Sequence, residues 1–334
     1  MRLPDPCGQL SSYAVSYLSG RSTSTPPPVA GGSSVITDRD AQLALWTAYE
    51  MSYRGFDDVD PGMERDLGLI ELRASLEDRL EAELRAVLDE RVAEAVGSGA
   101  DVGDVGDLVL AVVQEDEGPH LSSYLRRDAT AEQMRDYLRE RSVQQLKESD
   151  PQAFLLPRLQ GAAKVALAEL QYDEFGAGRP ECLHQDMYAR TLKAVGLDPA
   201  YGAYIDEVSA ISLASANVMS LFALNRRLVG AGVGHFAAFE ASSSVPSRKV
   251  AAGLDRLGLS AAAEYFEEHV EADAVHEQIA ARDICGSVVR DDPALLGEVV
   301  FGVMCCLHLD ALSGAELLSR WGAMDDTGTR AEAS

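Results

Sequence analysis

Apolar positions recur at spacings of three and four along most of the chain, the period of a helix that buries one stripe. The clearest run lies between Met63 and Val96, where Leu69, Leu72, Leu76, Leu80, Leu84 and Leu88 stand among charged residues. It predicts a long amphipathic helix broken at Gly97-Ser98-Gly99. A shorter helix is expected over Asp40 to Tyr53, capped by Thr37 or Asp38, with Leu43, Leu45, Trp46 and Tyr49 as its apolar surface and Gly55 as its stop. Ala129 to Glu148 is periodic again. From Pro151 the pattern becomes more thoroughly apolar, through Phe154, Leu159, Leu167 and Leu170, which places the next helix inside a bundle until Phe175-Gly176-Ala177-Gly178 ends it. Pro180 opens a helix to Val195, and Ile205 to Leu228, Val233 to Ala241, Pro246 to Leu257, Ala261 to Ile284 and Pro293 to Trp321 complete the set.

β-branched runs are short, and no Asn-Gly or Asp-Gly turn separates alternating segments, so the expected fold is all-α. Residues 1–36 contain Ser-Thr-Ser-Thr-Pro-Pro-Pro and Gly-Gly-Ser-Ser, a composition that predicts a mobile tail. The expected organisation is that tail, an N-terminal helical region over 37–140 that serves as an auxiliary or dimerisation element, a core over 141–322, and a polar tail over 323–334. The long Met63 to Val96 helix and the Trp46 segment offer more apolar stripe than the core requires, which predicts a homodimer.

Composition narrows the partners. A formal charge of -25, from 54 acidic against 29 basic residues, excludes nucleic acid and anionic membrane surfaces as natural partners and favours a neutral or cationic small molecule. The start, Met1-Arg2-Leu3-Pro4-Asp5-Pro6, has no apolar signal core, and no run of about 18 apolar residues stands out, so a cytoplasmic protein is expected. The five cysteines form no Cys-x-x-Cys pair; Cys305 and Cys306 read as small core residues.

One stretch carries chemistry. In Glu264 to Ala280, His269, Asp273 and His276 stand at i, i+4 and i+7, one above another on a helix. Two imidazoles and a carboxylate without a thiolate suit iron, manganese or zinc in a working rather than a structural site. The alternative is an acidic solvated helix carrying two histidines by chance; the interleaved Ala272, Ala274, Ile279 and Ala280 turn the stripe inward. Glu148, Glu174 and Glu240 lie on or beside apolar helices, and His184 follows one loop after Glu174. Four carboxylates and three imidazoles make an inventory close to that of helical dinuclear carboxylate sites. His235 and His308 have no ligand spacing and read as packed or surface residues, Glu50 reads as structural, and Ser209, Ser212, Ser215 and Asn217 read as small packing residues or cavity lining.

The pieces Lys147-Glu148-Ser149-Asp150-Pro151, Pro157-Arg158-Leu159, Asp173-Glu174-Phe175-Gly176-Ala177-Gly178-Arg179 with His184, Phe239-Glu240, and His269 to His276 resemble the heme-oxygenase-like diiron oxidases and oxygenases, a family of iron-containing redox enzymes. The resemblance covers about residues 140–322, and Leu45 to Phe56 looks like the upstream part of one subgroup. It implies a heme-oxygenase-like bundle with extra N-terminal helices and two Fe(II) ions on Glu148, Glu174, His184, Glu240, His269, Asp273 and His276. It also implies O2 as co-substrate, with electrons from an external donor such as a reductase. The family divides between N-oxygenation of amines and oxidative fragmentation of fatty or amino acids; the acidic chain leans toward the former. On geometry, Glu148, His184 and His276 are expected to hold one iron, Glu174 to bridge, and Glu240, His269 and Asp273 to hold the other. A non-catalytic helical scaffold and a thiaminase-like cysteine enzyme, with Cys182 near His184, are the competing readings.

Overall fold

The computed structural model describes residues 1–21, 25–29, 32, 34–98, 104–116 and 118–324, apart from the side chains of 98 and 271–274. Among these the chain is helices and turns with no strand, so the all-α expectation holds. The expected C-terminal tail from Asp325 lies outside the described residues.

The first departure is at the N-terminus, where Gln9–Leu18 forms a helix, α1, instead of belonging to a tail. Its Leu10, Tyr13, Ala14, Val15 and Leu18 are buried at helical spacing. Asp40 accepts hydrogen bonds from the backbone N–H groups of Leu10 and Ser11, each at 2.8 Å, which satisfies donors that a helix start leaves open. The Pro- and Gly-rich stretch that follows dilutes this short period in the sequence.

α2 (Arg39–Glu50) is capped by Asp38, whose carboxylate accepts from the N–H groups of Asp40 and Ala41, and it is buried from Ala41 to Glu50. α3 (Leu67–Ser98) buries its leucine stripe, Leu69 to Leu88, almost completely. The partners of that stripe lie within the same chain. Leu72, Leu76, Leu80 and Leu84 share one apolar cluster with Tyr13, Tyr49, Val218, Leu221, Phe301 and Met304. The N-terminal helices are therefore built into the same core as the later ones, and the surplus stripe on which a dimer was expected is already covered.

The remaining helices are α4 (Val105–Gln114), α5 (Leu121–Arg127), α6 (Ala131–Gln145), α7 (Asp150–Ala153), α8 (Gly161–Glu174), α9 (His184–Ala194), α10 (Ala210–Leu224), α11 (Val229–Arg256), α12 (Glu264–Gln278), α13 (Gly286–Asp291) and α14 (Leu296–Arg320). α10 starts later than expected because Ser209 caps it by accepting from the Ser212 N–H, and 201–208 are turns. α11 is one helix where two were expected. It runs through Pro246, and packing against α12 and α14 holds it together despite the missing N–H. Ser243 Oγ also donates to the Glu240 carbonyl at 3.0 Å in the turn before the proline.

α11 and α14 form the centre. Gly234 lies against the Val299 backbone and Gly302 against the Ala231 backbone, so closely that a Cβ at either position would collide with main chain. α14 is long and apolar enough by composition to cross a membrane, but half of its most apolar stretch is buried against α3, α10 and α11.

Candidate metal centre

The candidate ligands come from four helices and one turn. α6 ends at Gln145, and the turn after it carries Glu148. Ser149 then adopts φ 67°, a left-handed conformation that non-glycine residues rarely take and that tends to be kept at functional sites. Its Oγ donates to Glu174 Oε2 at 3.0 Å. Glu174 closes α8, after which Gly176 (φ 84°), Ala177 (φ 52°) and Gly178 (φ 81°) turn the chain back. A Cβ on Gly176 would strike the Arg179 carbonyl and the Cys182 backbone, so the turn needs glycine there. The return places His184, at the start of α9, with Nδ1 3.1 Å from Glu174 Oε2. Glu240 projects from α11, and His269 and His276 from α12. Three residues after His276 the helix widens into π-helical turns over Ile279–Cys285, a form frequent at functional sites.

These six residues are 3–4% exposed. Glu148, Glu174, His184 and His269 bring one ligand atom each within 4.8 Å of one another, and Glu174, Glu240 and His276 do the same. The sequence-predicted residues thus form two adjoining groups that share Glu174. The division differs from the expected one: His269 joins Glu148 and His184, while His276 joins Glu240, with Nδ1 3.3 Å from Glu240 Oε2 and 3.6 Å from Glu174 Oε1. The exchange follows from the depth of α12, whose His269 lies beside the Glu148 turn one turn below Tyr265, whereas His276 lies two turns further on, beside α11. The side chain of Asp273 lies outside the described residues.

Buried carboxylates here are balanced by positive charge, which protonated imidazoles or a bound cation would supply. Burial alone would push the Glu174 carboxyl up, but His184, then His269 and His276, hold it down at about 2. Burial opposes charge on His184 as well, and Glu174 outweighs it and raises the imidazole pKa. His269 Nδ1 lies 2.7 Å from the Tyr265 carbonyl, which can only accept, so Nδ1 carries the proton. Its Nε2 then faces Glu148 Oε1 at 3.3 Å, lone pair against carboxylate unless a proton or a cation stands between them. A buried set of hard carboxylate oxygens and imidazoles, with His269 oriented through its second nitrogen, fits a divalent first-row metal such as iron.

Several supporting residues escaped sequence reasoning. Tyr265 Oη donates to both Glu148 oxygens, at 2.9 and 2.8 Å, and Gln145 Nε2 donates to Tyr265 Oη at 2.9 Å. Burial, then Glu148, pushes the Tyr265 phenol well above its ordinary pKa, so it remains a donor. Tyr265 stands four residues before His269 on the same helix face, a spacing that extends the ligand stripe and could have revealed it. Gln185 Nε2 ties the Glu148 carbonyl at 2.8 Å and Asp150 Oδ1 at 2.9 Å. Gln185 Oε1 in turn accepts from Arg54, which follows α2 and also donates to the Leu146 carbonyl at 3.1 Å. Lys147 points away from the centre, 3.7 Å from Glu50 and over the Tyr53 ring, so Glu50 is a structural partner as expected. Glu50 also accepts from Tyr201 Oη at 2.6 Å.

The other candidates find ordinary places. His235 is buried, Ser212 bonds Glu140 and Asn217 bonds Gln42, while Ser215 lines a cavity beside the centre. Cys305 and Cys306 are buried, as small core residues would be, and Cys182 sits in the short turn before α9.

A search of curated proteins gives no match. Residues 135–311, just over half of the chain, match the sequence profile of a family described as iron-containing redox enzymes, and the matched span holds all six described candidate ligands. With the all-helical bundle and the buried Glu/His centre, this shows that the chain belongs to the iron-containing redox enzyme family, oxidoreductases with a heme-oxygenase-like fold.

Proposed function

We propose that this protein is a non-haem diiron oxygenase that uses O2 to N-oxygenate a small amine or amino-acid-derived substrate. The observation that carries the reading is the pair of adjoining buried ligand groups joined through Glu174. Glu148, His184 and His269 would hold one iron with Glu174, and Glu240 and His276 the other, with Asp273 on the same helix as the remaining candidate. When bound, two ferrous ions supply the electrons and the Lewis acidity that O2 reduction requires.

The chain's own residues prepare that site. Tyr265 orients Glu148, Ser149 orients Glu174, and the Tyr265 carbonyl fixes the His269 tautomer. The surrounding helices exclude bulk water from all six candidate ligands. In the reaction one oxygen atom goes to the substrate nitrogen and the other leaves as water, so two electrons and two protons must come from an external donor. A scaffold has no use for three carboxylates converging on three imidazoles at this depth, because taking each ion out of water costs on the order of several kcal/mol.

The test is anaerobic ferrous titration followed by O2 uptake with a panel of amines. Up to two irons per chain are expected in the wild type. Glu174→Ala, which strips the shared carboxylate, should lose both, and His276→Ala should retain one. Two irons retained by Glu174→Ala, or iron-loaded protein that consumes no O2 with any amine, would defeat the proposal.

A further inference from the structure

A cavity of about 270 Å³ lies against one side of the centre, with His269, Tyr265 and Gln145 at its inner end. That is slightly below the usual range for small-molecule sites, roughly 300–1,000 Å³, and suits a ligand of amino-acid size. Asp310, whose side chain is 67% exposed, marks the outer end, together with Arg141 and Lys249. The acidity of the whole chain is therefore not repeated here, since two cations stand against one carboxylate.

Arg141 is incompletely used. Its Nη1 donates to Asp310 at 3.0 Å, while Nε is buried with no acceptor among the described residues. A buried donor left in this state is costly, and the guanidinium fork matches a carboxylate with two parallel hydrogen bonds. At the inner end, Gln145 gives its Nε2 to Tyr265, and its Oε1 is buried without a donor. Arg141 and Gln145 stand one turn apart on the same face of α6, roughly 6 Å at 1.5 Å per residue, and Gln145 is linked through Tyr265 to Glu148, so the line runs from the mouth to the metal centre.

We propose that the cavity binds a small amino-carboxylate end-on, its carboxylate on Arg141 and its nitrogen end turned toward Gln145 and the Glu/His centre. The assignment of the nitrogen as the atom oxidised rests on the oxygenase reading above; the binding pose does not. Because the carboxylate is anchored at the mouth, the remote end of the molecule reaches the centre, which argues against loss of the carboxyl group as the reaction.

Calorimetric titration of the full-length, iron-loaded protein under argon tests this with three probes of equal chain length: hexanoate, hexylamine and 6-aminohexanoate. The wild type should bind 6-aminohexanoate most tightly. Arg141→Met should weaken both carboxylates at least about tenfold, as expected from losing a charge-assisted pair, and leave hexylamine unchanged. Asp310→Asn, which frees the guanidinium without removing it, should tighten both carboxylates and so separates the pose from any folding defect in Arg141→Met. Carboxylate affinities unchanged by Arg141→Met would place the carboxylate elsewhere, for example on the metals, and overturn the proposal, as would hexylamine binding as tightly as 6-aminohexanoate. Probe binding that depends on Arg141 in a protein that consumes no O2 would leave this inference standing and sink the oxygenase reading.

Discussion

At the residue scale, a tyrosine outside the candidate ligand set has a predictable effect on metal binding. Tyr265 supplies the hydrogen bond that both Glu148 oxygens share, and its ring is packed against Tyr188 and Phe266. Tyr265→Phe keeps the packing and deletes the bond. Outer partners of metal ligands are worth roughly 10–100-fold in affinity, so iron should bind at least about tenfold more weakly to the group containing Glu148, with the second group little changed. Competition against a chelator of known affinity measures this, and an unaltered curve would make the bond incidental. The six described candidate ligands were legible from the spacing of His269 and His276 on one helix face and from the resemblance of the pieces around Glu148, Glu174, His184 and Glu240 to a known family. Their grouping was not. Spacing along α12 places His269 and His276 on one face, but which carboxylate each meets depends on where α12 lies against the Glu148 turn and α11, and that is a tertiary fact. Ser149 was equally hidden, since nothing in a serine codon position announces a positive φ.

At the element scale, period and caps recovered most helices, and the exceptions have identifiable causes. α1 was missed because ten periodic residues precede a Pro- and Gly-rich stretch, and α11 was split because proline normally ends a helix. What overrides the proline is the contact of α11 with α12 and α14 along its length. That contact depends on Gly302 and Gly234, where the two backbones touch. Gly302→Ala would ordinarily favour an exposed helix, by about 1 kcal/mol on propensity. Here the added methyl meets the Ala231 carbonyl and must separate the central helices, an overpacking cost of about 1–3 kcal/mol or more. The expected net result is a melting temperature several degrees lower, at about 2–4 °C per kcal/mol for a domain of this size. A thermal melt showing stabilisation would mean that α11 and α14 are not in backbone contact.

At the scale of the whole molecule, net charge and local environment give opposite answers, and acid separates them. The charge of -25 means that lowering the pH relieves self-repulsion, which favours the folded state. A total over the surface says nothing about one cavity, and the lining beside the centre sets Arg141 and Lys249 against the single carboxylate of Asp310. His235 pulls the other way. Burial holds its pKa down at about 4, against about 6.5 when unfolded, so between those values the unfolded chain binds one more proton than the folded one. The neutral buried imidazole is fully tolerated above pH ~6.5, and stability falls as the pH drops toward ~4, where the folded form protonates too. A difference of about 2.5 pH units corresponds to about 3 kcal/mol at most. The raw pH profile of the wild type mixes this loss with the relief of repulsion and with the titration of the buried carboxylates, so the informative quantity is a difference. His235→Gln leaves net charge at neutral pH unchanged and removes the titrating ring, so denaturant unfolding of the two proteins at pH 7.5 and pH 4.5 should show the variant gaining about 2–3 kcal/mol on the wild type at the lower pH. Parallel profiles across that interval would show that the imidazole reaches solvent when protonated, and that α11 opens locally around His235, which also lines the cavity beside the centre, rather than unfolding with the rest of the molecule.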